Sequence, residues 1–186
     1  LVRLCGERGI TVSVVPGPSA LIAAVAVSGL PTGRFTFEGF LSTNKKSRRD
    51  HLEQVKNETR TIILYEAPHH LVGTLQELYQ ALGNRRMTLC RELTKKYETA
   101  FRTTIEDLIA FYKDQKPLGE CVLVIEGRSR KEMEQESQES WRDISIEEHM
   151  AIYENQGIAR KEAMKMVAKD RGVTKRDIYQ ALLLQK

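Results

Sequence analysis

Ionisable side chains follow or precede apolar runs at three places in the sequence. In "TIILYEAPHH", Ile62 to Leu64 are apolar at successive positions, and an acid and two histidines come at once after them. In "LCRELTKKYE", two acids and two lysines follow another apolar run, and in "KPLGECVLVIEG" a turn and Glu120 precede one. Carboxylates and amines in such positions can bind a polar ligand or exchange a proton with it.

The apolar runs beside these groups predict the strands that position them. Four segments have the pattern of strands: Arg34 to Leu41, Arg60 to Tyr65, Met87 to Arg91 and Glu120 to Glu126. Between them, leucines recur at helical spacing. Residues 34–127 therefore predict an α/β domain around a mostly parallel or mixed sheet. Ligands bind outside the carboxyl ends of strands in such sheets, so the polar stretches predict a cleft there.

The first part of the chain, "GITVSVVPGPSALIAAVAVSGLP", is typical of a strand followed by a helix. Thr11 to Val15 predict the strand, Pro16 and Gly17 interrupt it, and Ser19 is the expected N-cap of a helix that begins at Ala20. A turn that leads into a helix N-terminus directs backbone N–H groups at a ligand.

The last part of the chain differs in composition. Residues 128–139 have almost no apolar side chain and predict an exposed linker, and residues 140–186 predict three short helices similar to a helix-turn-helix module. Residues 157–186 contain eight lysines and arginines but three acids, a net charge of +5. A basic end suggests a polyanionic partner, and a solvated helix face is the alternative.

Composition restricts the class of protein. With 41% hydrophobic and 29% charged residues, the chain is globular, and no apolar run reaches the roughly 20 residues that span a bilayer. Cys5, Cys90 and Cys121 lie far apart and form no zinc-binding pair, which favours core thiols in a reducing cytoplasm and no metal. The first residues look like the middle of a helix, so we expect a fragment of a longer protein.

Five stretches occur in a characteristic order with suitable gaps: "VVPGPSALIAAVAVSGLP", "FTFEGFL", "ILYEAPHHL", "RELTKKYE" and "GECVLVIEG". Together they resemble the tetrapyrrole-methylase-type family of S-adenosylmethionine methyltransferases. Within it, they are most similar to the branch that methylates the 2′-oxygen of a cytidine ribose in 16S ribosomal RNA. They cover most of residues 1–127, and the basic helical end is similar to that branch's C-terminal extension.

The resemblance implies two α/β domains with S-adenosylmethionine in the cleft between them, usually in a homodimer. Residues 1–33 would be the last βα unit of the first domain and residues 34–127 the second domain. The cofactor loops upstream of this unit are absent, so we expect half a cofactor site and no turnover by this chain alone. The cofactor-binding residues implied are Pro16, Gly17, Ser19, Ala20, Tyr65, Glu66, Ala67, Arg91, Glu92, Leu93, Leu118, Gly119 and Glu120.

The acceptor implied is a ribose hydroxyl of ribosomal RNA in the small subunit, which is a poor nucleophile at neutral pH. A cation that lowers the pKa of the hydroxyl, or a base that accepts its proton, would help. Lys95 is the candidate cation, and Glu98 or Glu66 the candidate base. The candidate RNA-binding residues are Lys45, Lys46, Arg48, Arg49, Arg160, Lys161, Lys165, Lys175 and Arg176.

The sequence departs from the branch in two places. His70 stands where the branch usually has Arg, and Ser42 and Thr43 stand where it usually has Pro-Arg. Two other functions remain open: a precorrin-type tetrapyrrole C-methyltransferase of the same fold, and a nucleic-acid-binding protein without catalysis. The basic end and the "YEAPHH" and "RELTK" stretches favour the RNA methyltransferase over the tetrapyrrole enzyme.

Overall fold

The computed structural model of the protein describes residues 1–184, and only the backbone of residue 184. The described residues form two compact units. The first comprises residues 1–56 and 60–126, and the second comprises residues 57–59 together with residues 127 onward. Lys186, which contributes to the basic end of the sequence, lies outside the described residues.

A five-stranded mixed sheet forms the centre of the first unit. Its strands are β1 (Phe35–Phe40), β2 (Thr61–Glu66), β3 (Arg86–Arg91), β4 (Thr99–Thr104) and β5 (Cys121–Ile125). Their order across the sheet is β1-β2-β5-β3-β4. Only the β1–β2 pair is parallel, and the other three pairs are antiparallel. The α/β class with a mixed sheet, predicted from the sequence, is confirmed.

Helices cover both faces of this sheet because its central strands are apolar at successive positions. On one face, α3 (Lys45–Val55), α4 (Leu71–Leu82) and α5 (Ile105–Phe111) pack on a core that contains Ile62 and Leu64. On the other face, α2 (Ala20–Ser28) packs on Ile63. Each such fully buried aliphatic side chain contributes about 1.5–3 kcal/mol relative to an exposed one, so the strands are strongly held.

The segment before α2 is not a strand, contrary to the prediction for Thr11–Val15. After the short helix α1 (Val2–Glu7), residues 10–19 have no regular structure and are exposed. A strand needs a neighbour for its backbone hydrogen bonds, and among the described residues no strand pairs with this segment. Ser19 does occupy the N-cap position of α2, but its side chain accepts no capping hydrogen bond.

The second unit is a group of helices around a small core. Its helices are α6 (Arg130–Ser140), α7 (Ile146–Glu154), α8 (Arg160–Asp170) and α9 (Lys175–Leu184). Met150, Val167 and Ile178 are buried at the centre. Ser145 and Glu148 form the capping box that the sequence predicts at the start of α7.

Residues 128–139 were expected to be a linker, and the structure corrects this. Most of the segment is the helix α6, which has no buried residue. Its composition predicted the exposure correctly but not the helix. Ser129 caps the first turn through its side chain, and glutamate, glutamine and lysine have high intrinsic helix propensity, so a polar segment can still be helical.

No helix within residues 1–184 is long and apolar enough to cross a membrane.

The packing of the sheet predicts unequal reactivity of the three thiols. Cys90 and Cys121 are buried, and burial raises the pKa of each to about 11, whereas Cys5 is partly exposed. Since the thiolate is the reactive form, a disulfide reagent at about pH 8 should modify Cys5 rapidly and the other two only after denaturation. Counting modified thiols in native and urea-unfolded protein checks this. Equal rates for all three thiols would contradict the buried core.

Candidate functional site

The polar stretches of the sequence meet at one edge of the sheet. Because β2 and β3 both run antiparallel to β5, their carboxyl ends lie beside the start of β5. Glu66 at the end of β2 is opposite Cys121, and Cys121 is opposite Arg91 at the end of β3. Neighbouring strands are about 4.8 Å apart, so the three predicted loops begin within about 10 Å of one another.

Glu92 joins the loop after β3 to the loop before β5. Its backbone N–H donates to the carbonyl of Glu120 at 3.2 Å, and its Oε1 accepts from the backbone N–H of Glu120 at 3.0 Å. Lys95 Nζ lies 3.3 Å from Glu92 Oε1 and 3.3 Å from Glu120 Oε2. One ammonium group therefore bridges the carboxylates of both loops, and we call Glu92, Lys95 and Glu120 the edge bridge.

The backbone around the edge bridge is strained. Glu92 and Thr94 have φ of 49° and 65°, a region that side chains other than glycine rarely adopt. Gly119 has φ of 80°, and a Cβ there would lie 2.5 Å from Cγ of Glu92. Glycine is therefore required at position 119 both for its backbone conformation and for the close approach of Glu92. Such strain is common at ligand-binding sites.

The bonds within the edge bridge stabilise the charged forms of Glu92 and Lys95. The N–H of Glu120 lowers the pKa of the Glu92 carboxyl, and hydrogen bonds to Glu120 and Glu92 raise the pKa of Lys95. At neutral pH Glu92 is therefore a carboxylate and Lys95 an ammonium. Lys95 cannot serve as a base in this state, but it can stabilise a negative charge.

The two neighbouring lysines of "RELTKKYE" have different surroundings. Lys95 belongs to the edge bridge, whereas Lys96 Nζ lies 5.6 Å from the centre of the Tyr97 ring. The turn also holds Glu98, whose Oε2 accepts from the N–H of Thr94 at 2.5 Å and whose N–H donates to the carbonyl of Lys95. Lys95 and Glu98 thus share one tight turn, with both side chains exposed to solvent.

Glu66 is placed differently from its predicted role as a base. It is 6% exposed, and its carboxylate accepts from the N–H of Ala67 at 2.8 Å and from the hydroxyl of Thr74 in α4 at 2.5 Å. A buried carboxylate with both oxygens bonded is not available to a ligand in solvent. It fixes the turn between β2 and α4 instead, which is a structural answer to why this apolar strand ends in an acid.

The start of α2 lies against β2, as the predicted ligand-binding turn requires. The hydroxyl of Tyr65 accepts from the N–H of Leu21 at 3.1 Å and so takes the capping role expected of Ser19. The rings of Phe37 and Phe40 lie 4.9 and 5.6 Å from the Tyr65 ring, and both are exposed. An aromatic surface therefore flanks the start of α2.

The other end of α2 is fixed to the sheet, which keeps its N-terminus in place. The hydroxyl of Thr88 donates to the carbonyl of Ser28 at 2.8 Å, and the guanidinium of Arg102 donates to the carbonyl of Val27.

The remaining predicted cofactor residues divide into two groups. Arg91 is not directed at the loops, because its guanidinium donates to Thr99 at 3.2 Å and to the hydroxyl of the buried Tyr112 at 3.0 Å. Leu93 packs on the core beside α2, and Leu118 is 71% exposed. Pro16, Gly17 and Ser19 lie in the exposed segment before α2. The structure brings Tyr65 to the first turn of α2, which Ala20 begins, and it brings Glu92 to Gly119 and Glu120.

The basic residues after β1 are not equivalent. Arg48 is predicted to bind RNA, but its guanidinium binds Glu77 and donates to the hydroxyl of Thr74 at 2.6 Å. It therefore links α3 to α4, and only a small part of the Arg48 side chain is exposed to solvent. Lys45, Lys46 and Arg49 are exposed on α3.

The basic residues of the second unit include an exposed stripe on α8. Lys161, Lys165 and Lys169 recur every four residues opposite the buried face of this helix, and Lys165 is paired with Glu162 at 2.8 Å. Arg160 is paired with Glu154 at 3.3 Å. At the start of α9, Lys175 is half-buried and Arg176 is exposed.

Sequence reasoning missed three features of the site region. Asn44 caps α3 by accepting from the N–H groups of Lys46 and Ser47, each at 3.1 Å, and an Asn before a helical run was the available signal. A bulge at Gly39 shifts the register of β1, which no local pattern showed. The pairing of Phe40 with Tyr65 depends on that shift.

The close approach at Gly119 gives a test of the edge bridge. Gly119→Ala should force the Glu92 side chain away from the N–H of Glu120 and so break the bridge. Gly39→Ala is the matched control, because Gly39 has φ of 66° but nothing within 4 Å of an added Cβ. We expect the control to lower the free energy of unfolding by about 1 kcal/mol through backbone strain and Gly119→Ala by about 1–2 kcal/mol more. Urea unfolding measures both, and equal losses would show that the bridge adds no stability.

Comparison with known proteins places this fold in a family. The model described as Tetrapyrrole (Corrin/Porphyrin) Methylases matches residues 1–109. The chain is 43% identical to a protein named ribosomal RNA small subunit methyltransferase I from Halalkalibacterium halodurans, over 93% of this chain and 59% of that protein. Proteins of the same name from Synechocystis sp. and Escherichia coli O157:H7 are 43% and 36% identical, over 98% and 100% of this chain.

The chain spans about three fifths of the length of these curated relatives, at 59%, 64% and 63%. The similarity reaches beyond the first unit, since the second and third of these matches include nearly all of the chain. Because the family model matches more than half of the chain, the protein belongs to the tetrapyrrole (corrin/porphyrin) methylase family.

Proposed function

We propose that this sequence belongs to an S-adenosylmethionine-dependent methyltransferase that methylates the 2′-oxygen of a cytidine ribose in 16S ribosomal RNA. The observation that carries the proposal is the 43% identity to named ribosomal RNA small subunit methyltransferases over 93% and 98% of the chain. That match includes the basic helical unit, which a methyltransferase acting on a small tetrapyrrole does not need. The position of the polar loops at one sheet edge agrees with it.

The residues at this edge fit the chemical groups of S-adenosylmethionine. The carboxylates of Glu92 and Glu120 suit its ammonium and sulfonium charges, and the exposed aromatic surface beside Tyr65 suits its adenine. Gly119 lets the Glu92 carboxylate approach the loop before β5 closely. When bound, the cofactor supplies a methyl group that its cationic sulfur has already activated.

The task of this chain's residues is then to handle the acceptor hydroxyl. As the methyl group is transferred to the ribose oxygen, the hydroxyl must lose its proton. Lys95 holds a positive charge that lowers the energy of the developing negative charge on oxygen, and Glu98 in the same turn is the candidate acceptor of the proton. Glu66 has no part in this step, because its carboxylate is buried and bonded.

The RNA would be held by exposed cations on two surfaces. Lys45, Lys46 and Arg49 form the first, and the stripe on α8 with Arg176 forms the second. We further propose that the protein acts as a homodimer in the cytoplasm on the small ribosomal subunit, as the family resemblance implies.

Labelled methyl transfer tests the proposed function. The full-length protein, of the size of the curated relatives, is incubated with labelled S-adenosylmethionine and either small ribosomal subunits or a precorrin-type tetrapyrrole. Label in the RNA supports the proposal. Label in the tetrapyrrole alone would assign the other reaction of the family, and binding of RNA without cofactor binding or transfer would make the protein non-catalytic.

Lys95→Ala in the full-length protein should slow methyl transfer by roughly 10²-fold, because the charge that stabilises the acceptor oxygen is lost. Lys96→Ala is the matched control and should be near neutral, since its amine lies over Tyr97 rather than in the edge bridge. Single-turnover methylation and titration with S-adenosylmethionine measure the rate and the affinity separately. A normal rate with weakened cofactor binding would show that Lys95 only organises the loops.

Neutralising exposed lysines of α8 should reduce the salt dependence of RNA binding. Lys161→Gln should lower the slope of log K against log salt by about 0.7–0.9, the value for one phosphate contact. Lys165→Gln is the matched control, because the Lys165 amine is already paired with Glu162 and should contribute less. Binding of ribosomal RNA at several salt concentrations gives both slopes. An unchanged slope for Lys161→Gln would exclude this stripe from the RNA interface.

A further inference from the structure

A cleft of about 410 Å³ lies within the second unit, between the end of α6 and the turn that joins α8 to α9. This volume is in the range of sites that hold small molecules or parts of larger ligands. Its walls combine one aromatic ring, two guanidinium groups and aliphatic side chains such as Ile146 and Ile178. The ring is Trp141 and the guanidinium groups belong to Arg142 and Arg171.

The indole of Trp141 is held rigidly by stacking. The His149 ring lies 3.7 Å from it with an angle of 12° between the planes, and the His149 side chain is fully buried. His149 does not line the cleft, but Trp141 does. The indole therefore contributes to the cleft wall with a part that His149 does not cover.

Hydrogen bonds and a nearby carboxylate hold His149, the ring on which the indole of Trp141 stacks. Nδ1 of His149 accepts from Nε of Arg171 at 3.2 Å, and the carboxylate of Asp170 lies 3.2 Å from Nε2 of His149 and accepts from the hydroxyl of Tyr153. Burial, and the charge of Arg171 beside it, lower the pKa of His149, so the stacked imidazole is neutral at pH 7.

Arg171 is positioned as well as charged. Its Nη2 donates to the carbonyl of Ser145 at 3.0 Å and to the carbonyl of Ile144, while Nε donates to His149. These bonds use Nε and Nη2 and do not use Nη1. Arg142, which also lines the cleft, is exposed. The one acid in the wall, Asp177, accepts from the N–H and the hydroxyl of Thr174 at 2.8 and 2.7 Å, so its charge is partly compensated.

We propose that this cleft holds one unpaired nucleobase of an RNA, stacked on Trp141, with the adjoining phosphate bound by Arg142 and Arg171. The inference rests on the proposed function, since it assigns a specific contact to the RNA-binding unit. A flat ring bordered by guanidinium groups matches an unstacked base and its phosphate, and base stacking on an aromatic side chain is the usual way that proteins hold single-stranded RNA.

The charge of the surroundings favours RNA over an apolar protein segment as the occupant. The walls carry two arginines and one capped aspartate, and α8 and α9 beside the cleft carry the basic residues of the chain's end. A peptide helix would need a longer apolar groove, whereas the aliphatic walls here surround a single ring.

Trp141 is the only tryptophan in the chain, so its emission reports directly on the cleft. We expect a short single-stranded RNA to quench this emission in the 186-residue chain until the site is saturated. A duplex of the same sequence should leave the emission unchanged even if it binds to the basic helices, because its bases are already paired and stacked. Unchanged emission with the single strand would overturn the proposal, and a change with an acidic peptide but not with RNA would assign the cleft to a protein partner.

Affinity measured with labelled RNA separates stacking from general electrostatics. Trp141→Leu should weaken single-strand binding by about 5- to 100-fold, the usual loss for one stacked base, and Arg142→Gln should weaken it less. Tyr179→Ala is the matched control, because Tyr179 is an exposed aromatic residue on α9 outside the cleft, and it should change affinity by less than about twofold.

Trp141→Phe keeps an aromatic ring over His149. It therefore shows whether weak binding by Trp141→Leu comes from the lost ring or from loss of the fold. It should retain most of the affinity. Equal affinities for Trp141→Leu and wild type would overturn the proposal. Methyl transfer to ribosomal RNA without any quenching would leave the proposed function intact and reject only the stacking site. Quenching without methyl transfer would support the stacking site and reject the proposed function.

Discussion

The carboxylate of Glu92 accepts the N–H of Glu120 and the ammonium of Lys95, and the rest of the polar edge depends on this contact. Together with the backbone hydrogen bond from Glu92 to Glu120, it ties the loop after β3 to the loop before β5 just beyond the last paired residues of the two strands. Gly119 has to be glycine partly because of it, and hydrogen bonds to Glu120 and Glu92 together raise the pKa of Lys95. A strained backbone at Glu92 and Thr94 is tolerated because the adjoining strands are among the most buried parts of the chain.

Around α2, as at the edge bridge, apolar packing and polar contacts have separate roles. Apolar packing on Ile63 and Val124 holds the helix against the sheet, and hydrogen bonds from Thr88 and Arg102 fix its last turn. The hydroxyl of Tyr65 then fixes its first turn. Apolar burial stabilises the helix, and a few polar contacts set its position against the sheet. Glu66 shows the opposite case, where an acid at a strand end became a structural group.

The sequence predicted most of this fold because its apolar runs are unambiguous. Short apolar runs rich in β-branched residues, such as Ile62–Leu64, favour strands covered on both faces, and the capping-box pattern at Ser145 favours a helix start. The strand expected at Thr11–Val15 failed because strand formation depends on a neighbour that local pattern does not reveal. The roles of Glu66 and Arg48 were also out of reach, since each depends on a contact with Thr74 that forms only when α4 packs against the sheet and α3. Lys95 was identified by family resemblance, but its bridging of two carboxylates required the structure.

The edge formed by the ends of β2 and β3 and the start of β5 is proposed to face the methyl donor. Amide hydrogen exchange of the full-length protein with and without S-adenosylmethionine tests it most directly. The account predicts slower exchange in the presence of the cofactor at the N–H groups of residues 92–98 and 118–120 and at the start of α2, with no change in α7 to α9. Slower exchange confined to other elements, with these amides unaffected, would contradict it.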